Sequence, residues 1–150
     1  MLDLPPFRYR LRVRYAECDA QKVVFNARYG DYVDLAVLEF FRALGLYDIM
    51  VTGPLDCQVV KQTLEWKASA RFDQMVEVAV RAMRLGNTSF TLGSVFRIVG
   101  DNTIVATVET VYVLVDAKTL AKMSIPADIR AALERGAPGV VTDHSGRSGD

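Results

Sequence analysis

Histidine is nearly absent from this chain of 150 residues: there is one, His144, close to the C-terminus. That scarcity excludes much of the apparatus on which small enzymes rely. Ser-His-Asp and Cys-His relays need an imidazole beside the nucleophile, and catalytic zinc is usually held by imidazoles. Cysteine is scarce as well. Cys18 and Cys57 have no metal-ligand spacing, and one possible pair is a poor disulfide framework, so both read as reduced thiols of a cytoplasmic protein. No metal or other cofactor is expected. Neither sign of charge is in excess, because 18 Lys and Arg balance 18 Asp and Glu. A nucleic-acid partner or a polybasic membrane surface would call for a basic surplus, so neither is expected. The opening MLDLPPFRYR lacks the basic segment and apolar run of a secretory signal, and no apolar run reaches membrane-spanning length. Apolar residues are plentiful at 51%. That suits one domain whose core needs no disulfide.

The most informative stretch runs from Arg14 to Gly45. Tyr29, Tyr32, Val33, Ala36, Val37, Phe40, Phe41 and Leu44 recur at helical steps, which predicts a long amphipathic helix over 27–44. Leu35 and Leu38 widen its apolar stripe, so burial on more than one side is expected. Asn26 is placed as an N-cap and Gly45 as a left-handed C-terminal residue. Just before the helix, Asp19 stands between Cys18 and Ala20. A carboxylate near the unpaired N–H groups of a helix start is the feature most suggestive of chemistry.

The remaining elements follow in a simple order. Residues 7–15 alternate, with Phe7, Tyr9, Leu11, Val13 and Tyr15 on one face and arginines on the other, as in a half-exposed strand. Residues 46–54 read as a short helical turn and a loop closed by Gly53-Pro54. Four strand-like runs follow, near 57–69, 75–85, 89–99 and 103–115, with tight-turn signals at Gly86-Asn87 and Gly100-Asp101-Asn102. They predict an antiparallel four-strand meander. Ile125-Pro126 opens a last helix over 127–135, and residues 136–150 are Gly/Ser-rich and expected to be a disordered tail after a domain spanning 1–135. One sheet around one apolar helix leaves an edge and a face uncovered, which favours a dimer.

The run from Tyr15 through Glu17, Cys18, Asp19, Lys22 and Asn26 to Tyr29 resembles the signature of the 4-hydroxybenzoyl-CoA thioesterase family of hotdog-fold acyl-CoA thioesterases. Ala70-Arg71-Phe72-Asp73 and Ile125-Pro126-Ala127-Asp128 resemble two further family segments, so the likeness covers roughly residues 7–135. It implies an α+β hotdog fold, a five-stranded antiparallel sheet wrapped around a long central helix, and hydrolysis of an acyl-CoA by a homodimer or homotetramer. It also implies that Asp19 is the catalytic carboxylate, as nucleophile or as general base, and that the backbone N–H of Asn26 polarises the thioester carbonyl. Lys22 departs from the family pattern, which has glycine three residues after the acid; it either alters the loop or reaches a substrate carboxylate or phosphate, and it is kept as a substrate-binding candidate. Phe25 and Tyr29 are candidates for the acyl pocket, Arg71, Arg81 and Arg84 for the CoA phosphates. Thr63 or Glu65 of a neighbouring subunit could assist. Two other functions stay open: an acyl-thioester binding module without catalysis, and a thioesterase acting on an acyl carrier protein.

Overall fold

The computed structural model describes residues 4–146. Strand β1 (Phe7–Arg12) buries Phe7, Tyr9 and Leu11 and leaves Arg8, Arg10 and Arg12 half-exposed, as its alternation predicts. A single 3-10 turn (Tyr15–Glu17) and a tight hairpin lead into helix α1 (Arg28–Ala43). The face of α1 carrying Tyr29, Tyr32, Val33, Ala36, Val37, Phe40 and Phe41 is buried against the sheet. Aromatic rings fix the packing: Phe40 lies against Phe7, Phe41 against Phe90, and Tyr29 against Phe96. Burial of each such side chain contributes about 1.5–3 kcal/mol. The expected second buried side is not present, since Leu35 is exposed and Leu38 only half-buried.

Helix α1 ends where its sequence says it should. Gly45 adopts φ +77°, the Leu46 N–H donates to Phe41 O at 2.9 Å and the Gly45 N–H to Arg42 O at 3.1 Å. This is a Schellman closure with glycine at the left-handed position. Helix α2 (Tyr47–Met50) and strand β2 (Leu55–Trp66) follow, then β3 (Met75–Leu85), β4 (Ser89–Ile98), β5 (Ile104–Asp116), α3 (Ala127–Arg135) and β6 (Val141–Asp143).

The sheet has six strands in the order β2-β5-β4-β3-β1-β6, where five were expected. Strands β3, β4 and β5 form a meander through the two tight turns, but β2 is not part of it. It pairs antiparallel with β5 at one edge, and β1 takes the place beside β3. The physical reason lies in the connection after Trp66. It has no two-residue turn and crosses the sheet to begin β3 on the far side.

The second correction concerns the tail. Residues 136–146 are ordered, and β6 pairs parallel with β1, with Arg8 opposite Val141 and Arg10 opposite Asp143. Four contacts outweigh the Gly/Ser-rich composition. The His144 N–H donates to Arg10 O at 2.8 Å, and Tyr9 Oη lies 3.2 Å from His144 Nδ1. Arg12 Nε donates to Ser145 O at 2.9 Å, and the two rings of Tyr9 and His144 meet edge to face.

Candidate active site

Residues 17–25 form a hairpin that feeds directly into α1. Phe25 N–H donates to Glu17 O at 3.0 Å, Cys18 pairs with Val24, and Asp19 N–H donates to Val23 O at 2.9 Å. The reversal at its tip is closed by the Lys22 N–H on Asp19 O at 2.9 Å. Lys22 itself sits at φ +61°. A three-residue loop of this kind requires a left-handed residue at that point, which is why glycine suits it and why lysine there costs about 1 kcal/mol. The departure from the family pattern is therefore a side chain held in a conformation made for glycine.

The hairpin is sewn to a second turn after β2. Val24 N–H donates to Ala70 O at 2.9 Å, Val23 pairs with Arg71, and Phe72 N–H donates to Lys22 O at 3.0 Å. Asp73 in this second turn is also left-handed, at φ +70°, and Arg12 donates to its carbonyl at 2.9 Å. Two strained residues thus flank the same few backbone hydrogen bonds. Strain of this kind collects at functional sites, where the surroundings hold it in place.

Beneath the hairpin lies a buried carboxylate, paired with an exposed arginine, that the sequence reading did not single out. Glu17 accepts from the Arg14 N–H at 2.8 Å, from the Arg14 guanidinium at 2.7 Å and from Tyr32 Oη at 2.8 Å. Burial alone would raise the Glu17 carboxyl, but the hydrogen bonds from Arg14 and Tyr32 outweigh it and hold it below its usual range. Burial, followed by the bond to Glu17, raises the Tyr32 phenol. The visible signal was an acid three residues after an arginine that opens a helical turn, with a tyrosine on the buried face of α1. Glu17 anchors the arm that carries Asp19.

Asp19 is exposed, and one carboxylate oxygen, Oδ1, accepts from the Gln21 N–H at 2.8 Å. Its other oxygen has no protein donor among the described residues. Asn26 does not cap α1 with its side chain. The capping position falls on Ala27, whose methyl group cannot accept a hydrogen bond. Arg28 N–H and Tyr29 N–H turn back onto Phe25 O and Asn26 O, whereas the N–H groups of Asn26 and Ala27 meet no protein acceptor among the described residues. The helix start therefore presents unpaired donors directly after the arm that bears the carboxylate.

The other candidate residues divide. Lys22, Phe25 and Arg71 are exposed around the hairpin. Tyr29 is core: it is 1% exposed, and its hydroxyl accepts from the Ala70 N–H at 3.4 Å. Arg81 and Arg84 are not brought to Asp19 within the protomer. They pair with Gly93 and Thr91 toward the far end of β3, some 20–30 Å of strand from its start near the hairpin. Thr63 and Glu65 lie exposed on β2, where Glu65 pairs with Lys67 at 3.0 Å. Among the described residues no group of His, Cys, Asp and Glu is arranged to hold a metal ion, and no helix is long and apolar enough to cross a membrane.

Comparison with known proteins agrees with this architecture. The acyl-CoA thioester hydrolase YbgC of Escherichia coli is 30% identical over 131 residues, covering 86% of this chain and 96% of its own. A crystal structure of a hypothetical protein from Aquifex aeolicus superposes with a TM-score of 0.79 at 28% identity, covering 86% of this chain and all of that one. A hypothetical protein of Thermus thermophilus gives 0.76 at 28%, over 84% and 95%. The fold is of the hotdog thioesterase type, here with a sixth strand. The model of the thioesterase-like superfamily matches residues 13–133, and the chain belongs to that superfamily.

Proposed function

We propose that the protein hydrolyses acyl-CoA thioesters, with Asp19 as the catalytic carboxylate and the start of α1 as the oxyanion site. One observation carries the reading: a carboxylate with a free oxygen stands on the arm that feeds a helix start with unpaired N–H groups. A thioester is an activated acyl group, so hydrolysis needs a positioned base or nucleophile and an oxyanion donor, and no metal. As nucleophile, Asp19 adds to the thioester carbon. The C–S bond breaks, the CoA thiolate leaves and takes up a proton, and water cleaves the resulting anhydride. As general base, Asp19 takes a proton from the water that adds to the same carbon, and collapse of the adduct expels the thiolate. In both routes the negative oxygen accepts from the N–H groups of Asn26 and Ala27. Lys22 and Arg71, both exposed beside the hairpin, suit the negative charge of CoA. The name of the Escherichia coli relative, an acyl-CoA thioester hydrolase, supports this substrate class.

The reading includes assembly. Among the described residues the outer edge of β2 has no partner strand, it carries exposed Val59, Val60 and Trp66, and Leu35 on α1 is also exposed. An edge of that length and composition is best covered by a second copy of the chain, giving a homodimer or a dimer of dimers. Arg81 and Arg84 can serve a CoA bound at Asp19 only if another copy carries them there.

The bond from the Gln21 N–H to Asp19 favours one rival, in which Asp19 only shapes its turn and the cleft binds acyl thioesters without cleaving them. Release of free thiol from a panel of short, medium, long and aromatic acyl-CoAs separates the two. Turnover supports the hydrolase; binding without thiol release supports the rival. Carrier-protein thioesters in the same assay distinguish CoA from the protein-bound form.

A further inference from the structure

The far end of the tail meets one side chain of β1. Ser145 is 3% exposed, and both its N–H and its Oγ donate to Asp143 Oδ1, at 2.9 and 2.6 Å. That small loop holds the Ser145 carbonyl where Arg12 Nε donates to it at 2.9 Å. Upstream, the tail is fastened by the Gly139 N–H on Pro5 O at 2.8 Å, the Arg8 N–H on Val140 O at 3.0 Å and the His144 N–H on Arg10 O at 2.8 Å. Ordering residues 136–146 costs conformational entropy, yet only three of them form strand. The pairing with β1 ends at Asp143, and the turn that brings Ser145 to Arg12 extends past it.

A second nitrogen of the same side chain reaches toward the candidate site. Arg12 Nη1 donates to Asp73 O at 2.9 Å and lies 3.5 Å from Asp73 Oδ1. No other protein donor meets that carbonyl among the described residues. A planar guanidinium that donates through two nitrogens to two carbonyls fixes one against the other, which an ammonium on a flexible stem does not.

From Asp73 to Asp19 the links are all backbone. The Asp73 N–H donates to Val13 O at 3.0 Å, the adjacent Phe72 N–H to Lys22 O at 3.0 Å, and the Lys22 N–H to Asp19 O at 2.9 Å. Asp73 and Lys22 are both left-handed, at φ +70° and +61°, so each half of this joint relaxes unless its surroundings hold it. Arg12 is what holds the Asp73 half. Arg12 and the tail also lie outside residues 13–133, the span that matches the superfamily.

Resting on the thioesterase reading above, we propose that Arg12 is a positioning residue whose own place is set by the docked tail. Ser145 O braces the guanidinium, Arg12 holds the Asp73 turn, and the turn holds the hairpin that carries Asp19. When the tail is released, Arg12 keeps Asp73 alone and the turn loosens. The test is a double-variant cycle in the full-length chain. Thr142→Pro and His144→Pro together interrupt β6 and remove the His144 N–H and ring, while residues 13–133 stay unchanged. Arg12→Gln removes the brace with the tail present. For the best acyl-CoA, kcat per folded protein should fall about tenfold in either variant with KM little changed, because misplacement acts on the bound substrate. Combining them should slow turnover no further, since both break one line of contacts. Losses that multiply to about a hundredfold, or an unchanged kcat in the tail variant, would overturn the proposal. Hydrogen exchange gives a second readout that needs no turnover. In the tail variant the Phe72 N–H, on Lys22 O, should exchange faster together with the Arg8 N–H, on Val140 O. A Phe72 N–H that stays protected while Arg8 exchanges freely would overturn the proposal. If the wild type releases no thiol, the hydrolase reading fails instead, and the exchange result still decides the coupling.

Discussion

At its C-terminal end α1 is closed by the chain itself, through Leu46 N–H on Phe41 O and Gly45 N–H on Arg42 O. At its N-terminal end the N–H groups of Asn26 and Ala27 reach no protein acceptor among the described residues, and the capping position carries an alanine. The same helix is thus finished at one end and left open at the other. A finished end serves stability alone. Under the proposed reading the open end keeps donors for a charge that is present only during the reaction, and a carboxylate on an anchored arm stands before it. Changes at the two ends should therefore separate, one set altering turnover and the other altering the melting temperature.

Asp19→Asn should give the largest effect. The amide oxygen can still accept from the Gln21 N–H, so folding is retained, but an amide neither attacks a thioester usefully nor takes a proton from water. Turnover should fall by about 10²–10⁴-fold, with substrate affinity little changed. A normally folded variant with near wild-type thiol release would remove the chemistry from this end of the helix.

Glu17→Gln comes next and probes the anchor. It removes the charge to which the buried Tyr32 hydroxyl donates, and should cost about 1.5–3 kcal/mol at neutral pH by denaturant unfolding. The Glu17 carboxyl is lowered in the folded state. Its stabilisation is therefore present above the unfolded value of about 4.3 and is lost as pH falls through the lower folded value. The gap between wild type and variant should narrow below about pH 4. A gap that stays constant on acidification would mean that shape, not charge, holds the arm.

Gly45→Ala tests the closed end. Nothing lies within 4 Å of a Cβ built there, so the whole cost is the left-handed backbone at φ +77°. About 1 kcal/mol should be lost in thermal unfolding, with kcat/KM of the folded protein unchanged. A change in kcat/KM would show that the two ends are coupled through the helix.

Lys22→Gly should show the smallest effect. Glycine relieves the strained φ, which stabilises the hairpin by at most about 1 kcal/mol after its own entropy is counted. Removing the cation should raise KM more than it lowers kcat, the mark of lost uniform binding. An unchanged KM for every acyl-CoA would leave Lys22 as a solvated loop residue.

The parts of this molecule that were legible in its sequence are those with local causes. The buried face of α1 repeats at helical steps, Gly45 closes the helix, and Gly86-Asn87 turns β3 into β4, each within a few residues. The crossing of β2 was hidden because its partner, β5, lies some fifty residues away in sequence, and alternation gives a strand but not its neighbour. β6 was hidden because Gly and Ser-rich composition does not reveal that Tyr9 and Arg12 wait to hold it. At the site, Asp19 and the helix start stood out by type and position. The Glu17 group did not, because its meaning depends on Tyr32 reaching across from the helix. Arg81 and Arg84 were read from charge alone, which does not report which part of a sheet a side chain occupies.

Strand β6 has a consequence for how many chains can join. A sheet extended through its free edges can in principle grow without limit, one chain adding to the next. Here the β1 edge is already taken by three residues of the chain's own tail, too short a strand to recruit another. Among the described residues one long edge, β2, stays open, and a pair of protomers joined there would have none. If two copies do pair through β2 as proposed, growth by edge addition would stop at two, with the tail as a chain terminator written into the monomer.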